Sequence, residues 1–185
     1  FSTTGLVNGN TVSGVTLTTT ATGASTVGRY GITASAVQGS GLANYAVTYQ
    51  PGTLTIDPAT LTVTALNQTS TYGQAPTLGT SQFSTTGLVN GNRVSSVTLA
   101  TTATSATPVG TYAITAAGAT GTGLSNYAVT YAPGTLTIDP AALTVTALNQ
   151  TSIYGQAPAL GTSQFSTTGL VNGNTVSGVT LTTTA

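Results

Sequence analysis

The sequence predicts an all-β chain built from tandem copies of one small antiparallel β-sandwich of immunoglobulin-like type. Three observations support this prediction. The 185-residue chain repeats itself every 82 residues, apolar and polar residues alternate with the period of a β-strand, and 45 residues are threonine, which suits a pleated sheet. A β-grasp sheet covered by one short helix is the alternative that this pattern leaves open.

The repeat is visible directly in the sequence. The decapeptide that begins at Phe1 returns at Phe83 and again at Phe165. The first two copies agree at 64 of 82 positions, and residues 165–185 repeat the first 21 residues without a difference. A period of this length suits a whole small domain repeated in tandem rather than the shorter units of a solenoid.

Proline marks the boundaries between the copies. One apolar alternation ends at Asp57-Pro58, and the same junction recurs at Asp139-Pro140. Proline restricts its own φ and favours an extended residue before it, so we expect each Asp-Pro pair to lie in a short, stiff interdomain junction. The predicted domains are 1–60, the C-terminal part of one repeat; 61–142, a complete repeat; and 143–185, the N-terminal part of the next.

Within the complete repeat the alternation predicts seven strands. They are, in order, 61–65, 69–72, 83–88, a strand containing Val94, Val97 and Leu99, then 109–116, a strand at 127–131 and a strand at 136–138. Turn-forming residues separate them, namely Ala75-Pro76, Asn90-Gly91, the Gly/Thr segment 118–123, predicted to be a loop, and Pro133-Gly134. One helical turn within 91–97, with Asn92 as its N-cap, is the best helix candidate.

Large apolar and aromatic residues on these strands are the expected structural anchors, namely Phe83, Tyr112, Tyr127 and Ile138. A tyrosine on an alternating strand usually packs in the core with its hydroxyl at the rim. The alternative is that the tyrosines line a glycan-binding surface.

The composition excludes most chemistry. The only ionisable side chains besides tyrosine are two arginines and two aspartates, and there is no His, Lys, Glu or Cys. The chain therefore lacks a nucleophile–base pair, a thiol for redox work and enough cations to neutralise phosphates. No apolar run approaches the roughly 20 residues of a membrane helix. We expect no enzyme activity, no cofactor, no nucleic-acid partner and no membrane span in this segment.

Asp57 and Asp139 are the weak candidates for a metal site, an interdomain Ca²⁺ site at each junction. Ca²⁺ takes about six to eight oxygen ligands, usually with several carboxylates, whereas each junction supplies one carboxylate. The alternative is that each aspartate forms the turn before its proline, and we therefore expect no bound metal.

Six short motifs, taken in order, resemble the YGX-type MBG domain over the complete repeat and both partial copies. They are Leu61-Thr-Val-Thr-Ala65, Tyr72-Gly-Gln74, Gly87-Leu-Val-Asn-Gly-Asn92, Val109-Gly-Thr-Tyr-Ala-Ile114, Asn126-Tyr-Ala-Val-Thr-Tyr131 and Gly134-Thr-Leu-Thr-Ile138. One departure is that Gln74 and Asn92 stand at positions that are often acidic in similar domains.

The resemblance implies an exported segment of a large bacterial surface protein, of the kind that includes filamentous-haemagglutinin-like adhesins. We expect an extracellular or cell-surface stalk or fibre whose partners are neighbouring repeats and other copies of the same fibre. The alternative is an adhesive module that binds surface glycans through avidity. A third possibility is that the chain completes a neighbour's domain by donating a strand.

Overall fold

The structure is a computed structural model that describes residues 1–183. Nearly all of its regular structure is β-strand, which confirms the predicted all-β class. The strands in chain order are β1 (Val12–Thr19), β2 (Gly28–Gly39), β3 (Gly52–Ile56), β4 (Ala59–Ala65), β5 (Gln68–Thr71), β6 (Phe83–Thr86), β7 (Arg93–Ala100), β8 (Gly110–Thr122), β9 (Tyr127–Ala132), β10 (Gly134–Asp139), β11 (Thr144–Ala147) and β12 (Phe165–Thr168).

The complete repeat contains the seven strands β4 to β10, arranged in two sheets. One sheet has the order β5-β10-β8-β7 and the other the order β6-β4-β9. Ala65 of the second sheet packs in one buried cluster with Ile114, Leu136 and Ile138 of the first. Side chains from both sheets therefore share a core, as expected for a small β-sandwich.

One pairing in the four-stranded sheet is parallel. β10 pairs antiparallel with β8, but it pairs parallel with β5, with Leu136 opposite Gln68. Two hydrogen bonds mark where the chain leaves β4 for the other sheet: Leu66 N donates to Gln82 O (3.0 Å), and Thr135 N donates to Asn67 Oδ1 (2.8 Å). The chain therefore passes from the three-stranded to the four-stranded sheet after β4. The four-stranded sheet is mixed rather than wholly antiparallel.

Two local predictions are wrong. Residues 93–97 belong to β7 instead of a helical turn, because the Asn92 amide binds the hydroxyl of Tyr127 rather than capping a helix. Residues 118–122 continue β8 instead of forming a loop. Gly118 adopts a φ of 58°, and Ala119 N donates to the hydroxyl of Tyr131 (2.9 Å), so the long strand continues through an irregular backbone.

The described helical structure consists of two three-residue 3₁₀ turns, Leu42–Asn44 and Leu124–Asn126. They occupy the same place in the first two copies. Each follows a glycine with a φ near 70° and leads directly into a tyrosine, Tyr45 in the first copy and Tyr127 in the second.

The first and last copies each form a smaller sheet. β1, β2 and β3 form an antiparallel sheet in that order, and β11 pairs antiparallel with β12. The described chain divides into two compact units. One contains 1–61, 87–94 and 121–130, and the other contains the remaining described residues.

The core of the complete repeat follows the alternation of the sequence. Leu61 and Val63 of β4 are fully buried, and so is Ile114 of β8. Complete burial of an aliphatic side chain of this size stabilises a fold by roughly 1.5–3 kcal/mol. The described residues bury no charged side chain, so the core depends on apolar packing.

Candidate functional site

The most regular feature outside the core is an Asn-Gly-Asn turn that occurs once in each copy. In the complete repeat Asn90 has a φ of 54° and Gly91 a φ of 72°, and Asn92 N donates to Val89 O (3.0 Å). Positive φ at both central residues is what a two-residue type I′ turn requires, and Asn-Gly is the pair that adopts it most readily. The equivalent pairs, Asn8-Gly9 and Asn172-Gly173, have the same left-handed backbone.

A tyrosine hydroxyl holds this turn in place in each of the first two copies. The hydroxyl of Tyr127 accepts hydrogen bonds from Val89 N (2.9 Å) and Asn92 Nδ2 (3.1 Å), and it lies 3.1 Å from Val89 O, to which it donates. In the first copy the hydroxyl of Tyr45 makes the same three contacts with Val7 and Asn10. The orientation of the turn therefore depends on residues nearly 40 positions away.

The turn of one copy contacts the preceding copy through the side chain of its first asparagine. Asn90 Nδ2 donates to Gly23 O (3.0 Å), and Asn172 Nδ2 donates to Ser105 O (2.8 Å). In both pairs the acceptor lies 67 residues before the donor. The same inter-repeat hydrogen bond therefore forms twice, and it tolerates the change from glycine to serine because the acceptor is a backbone carbonyl.

The first of these contacts has a second hydrogen bond in the opposite direction. Val27 N donates to Asn126 Oδ1 (2.9 Å), and both residues are half-buried. A cavity of about 390 Å³ lies beside the two bonds, and Asp57, Asn90 and Asn126 are among its lining residues. Two side-chain amides of the complete repeat, those of Asn90 and Asn126, thus bind the two ends of the loop at 23–27 in the preceding copy.

The second contact is packed more closely around Gly73, which has a φ of 92°. A Cβ atom at this position would lie 2.7 Å from Val171 Cγ2, a separation that van der Waals radii forbid. Hydrogen bonds from the Asn172 and Asn174 side chains lower the pKa of the Tyr72 phenol, and Asn174 Nδ2 lies 3.1 Å from its oxygen. The Tyr-Gly pair of one copy therefore abuts the Asn-Gly-Asn turn of the next.

The predicted junction residues Asp57, Pro58, Asp139 and Pro140 are all exposed. Asp57 lines the cavity described above, and the backbone carbonyl of Asp139 accepts a hydrogen bond from Tyr72 N (2.8 Å). Among residues 1–183 no cluster of three or more metal-ligating His, Cys, Asp or Glu side chains occurs. The two aspartates lie in different copies, and each junction supplies a single carboxylate.

The predicted anchors lie at different depths. Ile138 and Tyr127 are buried, whereas Phe83 and Tyr112 are half-buried. Phe83 begins β6 opposite Ala65. Tyr112 packs against the core cluster and donates its hydroxyl proton to Pro108 O (2.9 Å). The hydroxyls of Tyr112 and Tyr127 both donate to backbone carbonyls of the same repeat.

The residues that contact neighbouring copies most directly, Asn90 and Asn172, were not predicted from the sequence. The signal was present, because Asn-Gly recurs at the same position of all three copies. By itself the dipeptide predicts only a tight turn, since the backbone preference of Asn-Gly explains its presence without any role for the side chain.

The fold and the repeated contact define a tandem array of small β-sandwich repeats. The family model of the MBG domain (YGX type) matches residues 1–55, 61–137 and 143–185, so the chain belongs to this family. This match confirms the resemblance inferred from the six motifs. No curated protein and no solved structure matches the chain significantly. Within the described residues, no helix has the length and apolar character needed to cross a membrane.

Proposed function

We propose that the chain is a structural repeat segment of an extracellular bacterial fibre or adhesin stalk. It supplies length and stiffness, and it supports lateral or end-to-end association with other copies. Its role is mechanical rather than catalytic, and its location is the cell surface or the extracellular space. Membership of the MBG family and the near-identity of successive copies support this proposal.

The observation that carries the proposal is the pair of equivalent hydrogen bonds, Asn90 to Gly23 and Asn172 to Ser105. A stalk needs each repeat to meet the next in the same way, and these bonds repeat with the period of the sequence. Each donor is held by a turn with a restricted backbone, so little backbone entropy is lost when the bond forms. The arrangement suits the transmission of force along the chain.

A glycan-binding module is the second candidate, and the tyrosines offer it little support. The hydroxyls of Tyr30, Tyr45, Tyr49, Tyr112, Tyr127 and Tyr131 all make hydrogen bonds to the protein's own backbone. A hydroxyl has one proton and two acceptor positions. The hydroxyls of Tyr45 and Tyr127 use all three, so each must give up an internal bond to bind a sugar. An array of surface glycans probed with the full chain distinguishes the two functions, since specific binding would favour the adhesive module.

The proposed stiffness of the stalk is tested by small-angle X-ray scattering of the full chain and of the double variant Asn90→Ala/Asn172→Ala. We expect the wild type to give one narrow distribution of distances between repeats and the double variant to give a broader one. Asn8→Ala is the matched control, because Asn8 occupies the same turn position and has a φ of 58°. A wild type as flexible as the double variant would contradict the proposal.

A further inference from the structure

Each copy of the repeat carries one Asn-Gly pair, and the chain contains three of them, at 8–9, 90–91 and 172–173. The other seven asparagines are followed by Thr, Tyr, Gln or Arg. An asparagine side chain reacts with the next peptide nitrogen most readily when that nitrogen belongs to glycine, because glycine has no side chain to obstruct the approach. The turns therefore hold the most reactive asparagines of the chain.

The peptide nitrogens that follow Asn90 and Asn172 are unobstructed. A Cβ atom built on Gly91 or on Gly173 would have no neighbouring atom within 4 Å, and both asparagines and both glycines are exposed. Within residues 1–183 the N–H groups of Gly91 and Gly173 donate no hydrogen bond. The described protein therefore neither shields these nitrogens nor holds them away from the asparagine side chains.

The inter-repeat hydrogen bonds restrain the two asparagine side chains. Asn90 Nδ2 donates to Gly23 O (3.0 Å), and Asn172 Nδ2 donates to Ser105 O (2.8 Å). Attack by the next nitrogen closes a ring through the side-chain carbon Cγ, which requires rotation about the Cα–Cβ and Cα–C bonds of the asparagine. These rotations break the bond to the preceding copy and take the backbone out of its left-handed turn, in which φ is 54° at both asparagines. A closed contact therefore blocks the reaction, and an open contact allows it.

The reaction needs only water. In an open contact the Gly91 nitrogen loses its proton and forms a bond to Asn90 Cγ, the Cγ–Nδ2 bond breaks, and ammonia leaves with that proton. A water molecule then opens the resulting succinimide at either carbonyl, which leaves an aspartate or an isoaspartate at position 90. One water is consumed and one ammonia is released, and no atom is oxidised or reduced.

The product cannot re-form the contact. An ionised carboxylate only accepts hydrogen bonds, and its counterpart, the carbonyl oxygen of Gly23, is also an acceptor. An isoaspartate in addition lengthens the main chain by one carbon, which distorts the two-residue turn. Each reaction also adds a negative charge to a chain that has two aspartates and no glutamate. The conversion therefore replaces an attraction between copies with a repulsion.

We propose that Asn90 and Asn172 are sites of spontaneous deamidation that the hydrogen bond to the preceding copy controls. The closed contact protects each asparagine, and every opening exposes it to an irreversible reaction. The number of carboxylates at the turns therefore records how long the contacts have been open. This inference goes beyond the mechanical role proposed above and does not depend on it, since the reaction requires only the turn and the contact.

The test follows deamidation of the full chain in mildly alkaline buffer, which favours loss of the proton from the attacking nitrogen. Trypsin cleaves after Arg29 and Arg93, the only basic residues, so Asn90 and Asn172 fall in separate peptides whose masses report each site. The chain unfolded in urea gives the rate without any contact. We expect both sites to react at least about fivefold more slowly in the folded chain, because the net value of one hydrogen bond corresponds to about that factor in the fraction of open contacts.

Two variants loosen one contact each and serve as controls for one another. Gly73→Ala places a Cβ atom 2.7 Å from Val171 Cγ2, next to Asn172. Asn126→Ala removes the second hydrogen bond of the contact that Asn90 makes. We expect Gly73→Ala to speed the reaction of Asn172 about fivefold and to leave that of Asn90 unchanged. Asn126→Ala should do the reverse, and the unaffected site in each molecule shows that the variant has not unfolded as a whole.

Equal rates in the folded and the unfolded chain would overturn the control by the contact. Rates that change at both sites together in both variants, or at neither site in either variant, would overturn it as well. Failure of Asn90 and Asn172 to deamidate in the unfolded chain would overturn the assignment of the sites. The scattering test of the stalk is separate, because it compares distances between repeats and its double variant lacks both reactive side chains.

Discussion

Asn67 and Thr135 are joined across 68 residues by one hydrogen bond, in which Thr135 N donates to Asn67 Oδ1 over 2.8 Å. Asn67 lies in the two-residue link between β4 and β5, and Thr135 is the second residue of β10. The bond holds the link at the point where the chain leaves one sheet and β5 begins to pair in parallel with β10. This side chain therefore helps to determine which sheet β5 enters.

Removal of this bond should weaken the complete repeat. We expect Asn67→Ala to lower its free energy of unfolding by about 1 kcal/mol, the net value of a typical hydrogen bond, as measured by urea denaturation of the full chain. Asn67→Asp retains an acceptor oxygen and should remain close to the wild type. Equal losses in the two variants would show that the bond is not what stabilises the link.

A cavity in the core should lower the free energy of unfolding more than the loss of this hydrogen bond does. Ile114 is fully buried against Ala65, Leu136 and Ile138, so Ile114→Ala should destabilise the complete repeat by about 2–5 kcal/mol. Thr111→Ala, on an exposed position of the same strand, should change stability by less than about 0.5 kcal/mol. Thermal unfolding of the two variants measures the difference, and similar midpoints would contradict the assigned core.

The pKa of the Tyr72 phenol should lie below the ordinary value for tyrosine. Hydrogen bonds from Asn172 and Asn174 lower its pKa below the ordinary value of 10.0. Because the unfolded state then binds more protons than the folded state, this contact contributes stability above pH 10.0 that is lost as pH falls through the folded pKa. The ultraviolet titration curve of the wild type, after subtraction of the curve of Tyr72→Phe, measures the shift in the pKa of Tyr72. A difference curve centred at or above the ordinary value would refute it.

The close approach at Gly73 offers a test with a control built into the repeat. Gly73 and Gly155 occupy the same position of successive copies, with φ values of 92° and 84°. Alanine strains the backbone at both, by roughly 1–2 kcal/mol. Only at Gly73 does the new Cβ meet Val171, since Gly155 has no atom within 4 Å.

We therefore expect Gly73→Ala to expose the turn at 171–174 and Gly155→Ala to leave it protected. Hydrogen–deuterium exchange of Asn174 N, which donates to Val171 O (3.0 Å), reports on this turn. If the exchange rate of Asn174 N rises by the same factor in both variants, backbone strain rather than the contact with Val171 is responsible for the exposure of the turn.

Much of the complete repeat was predictable from its sequence. The sequence predicts all seven strands, because alternation and turn residues mark each one locally. Leu61, Val63 and Ala65 occupy one face of β4, and the turn Asn90-Gly91 lies between β6 and β7. The failures were at 91–97 and 118–123. There a long-range bond, from Asn92 to Tyr127 or from Ala119 to Tyr131, overrides a plausible local preference.

The sequence by itself determined the period, the strand positions, the family and the near absence of charge, since each of these depends on residue identity and spacing. The tertiary structure alone decided the parallel pairing of β5 with β10 and the contact of Asn90 with Gly23. The physical reason is that a strand's backbone groups need a partner, and the identity of that partner is a property of the folded chain rather than of the segment.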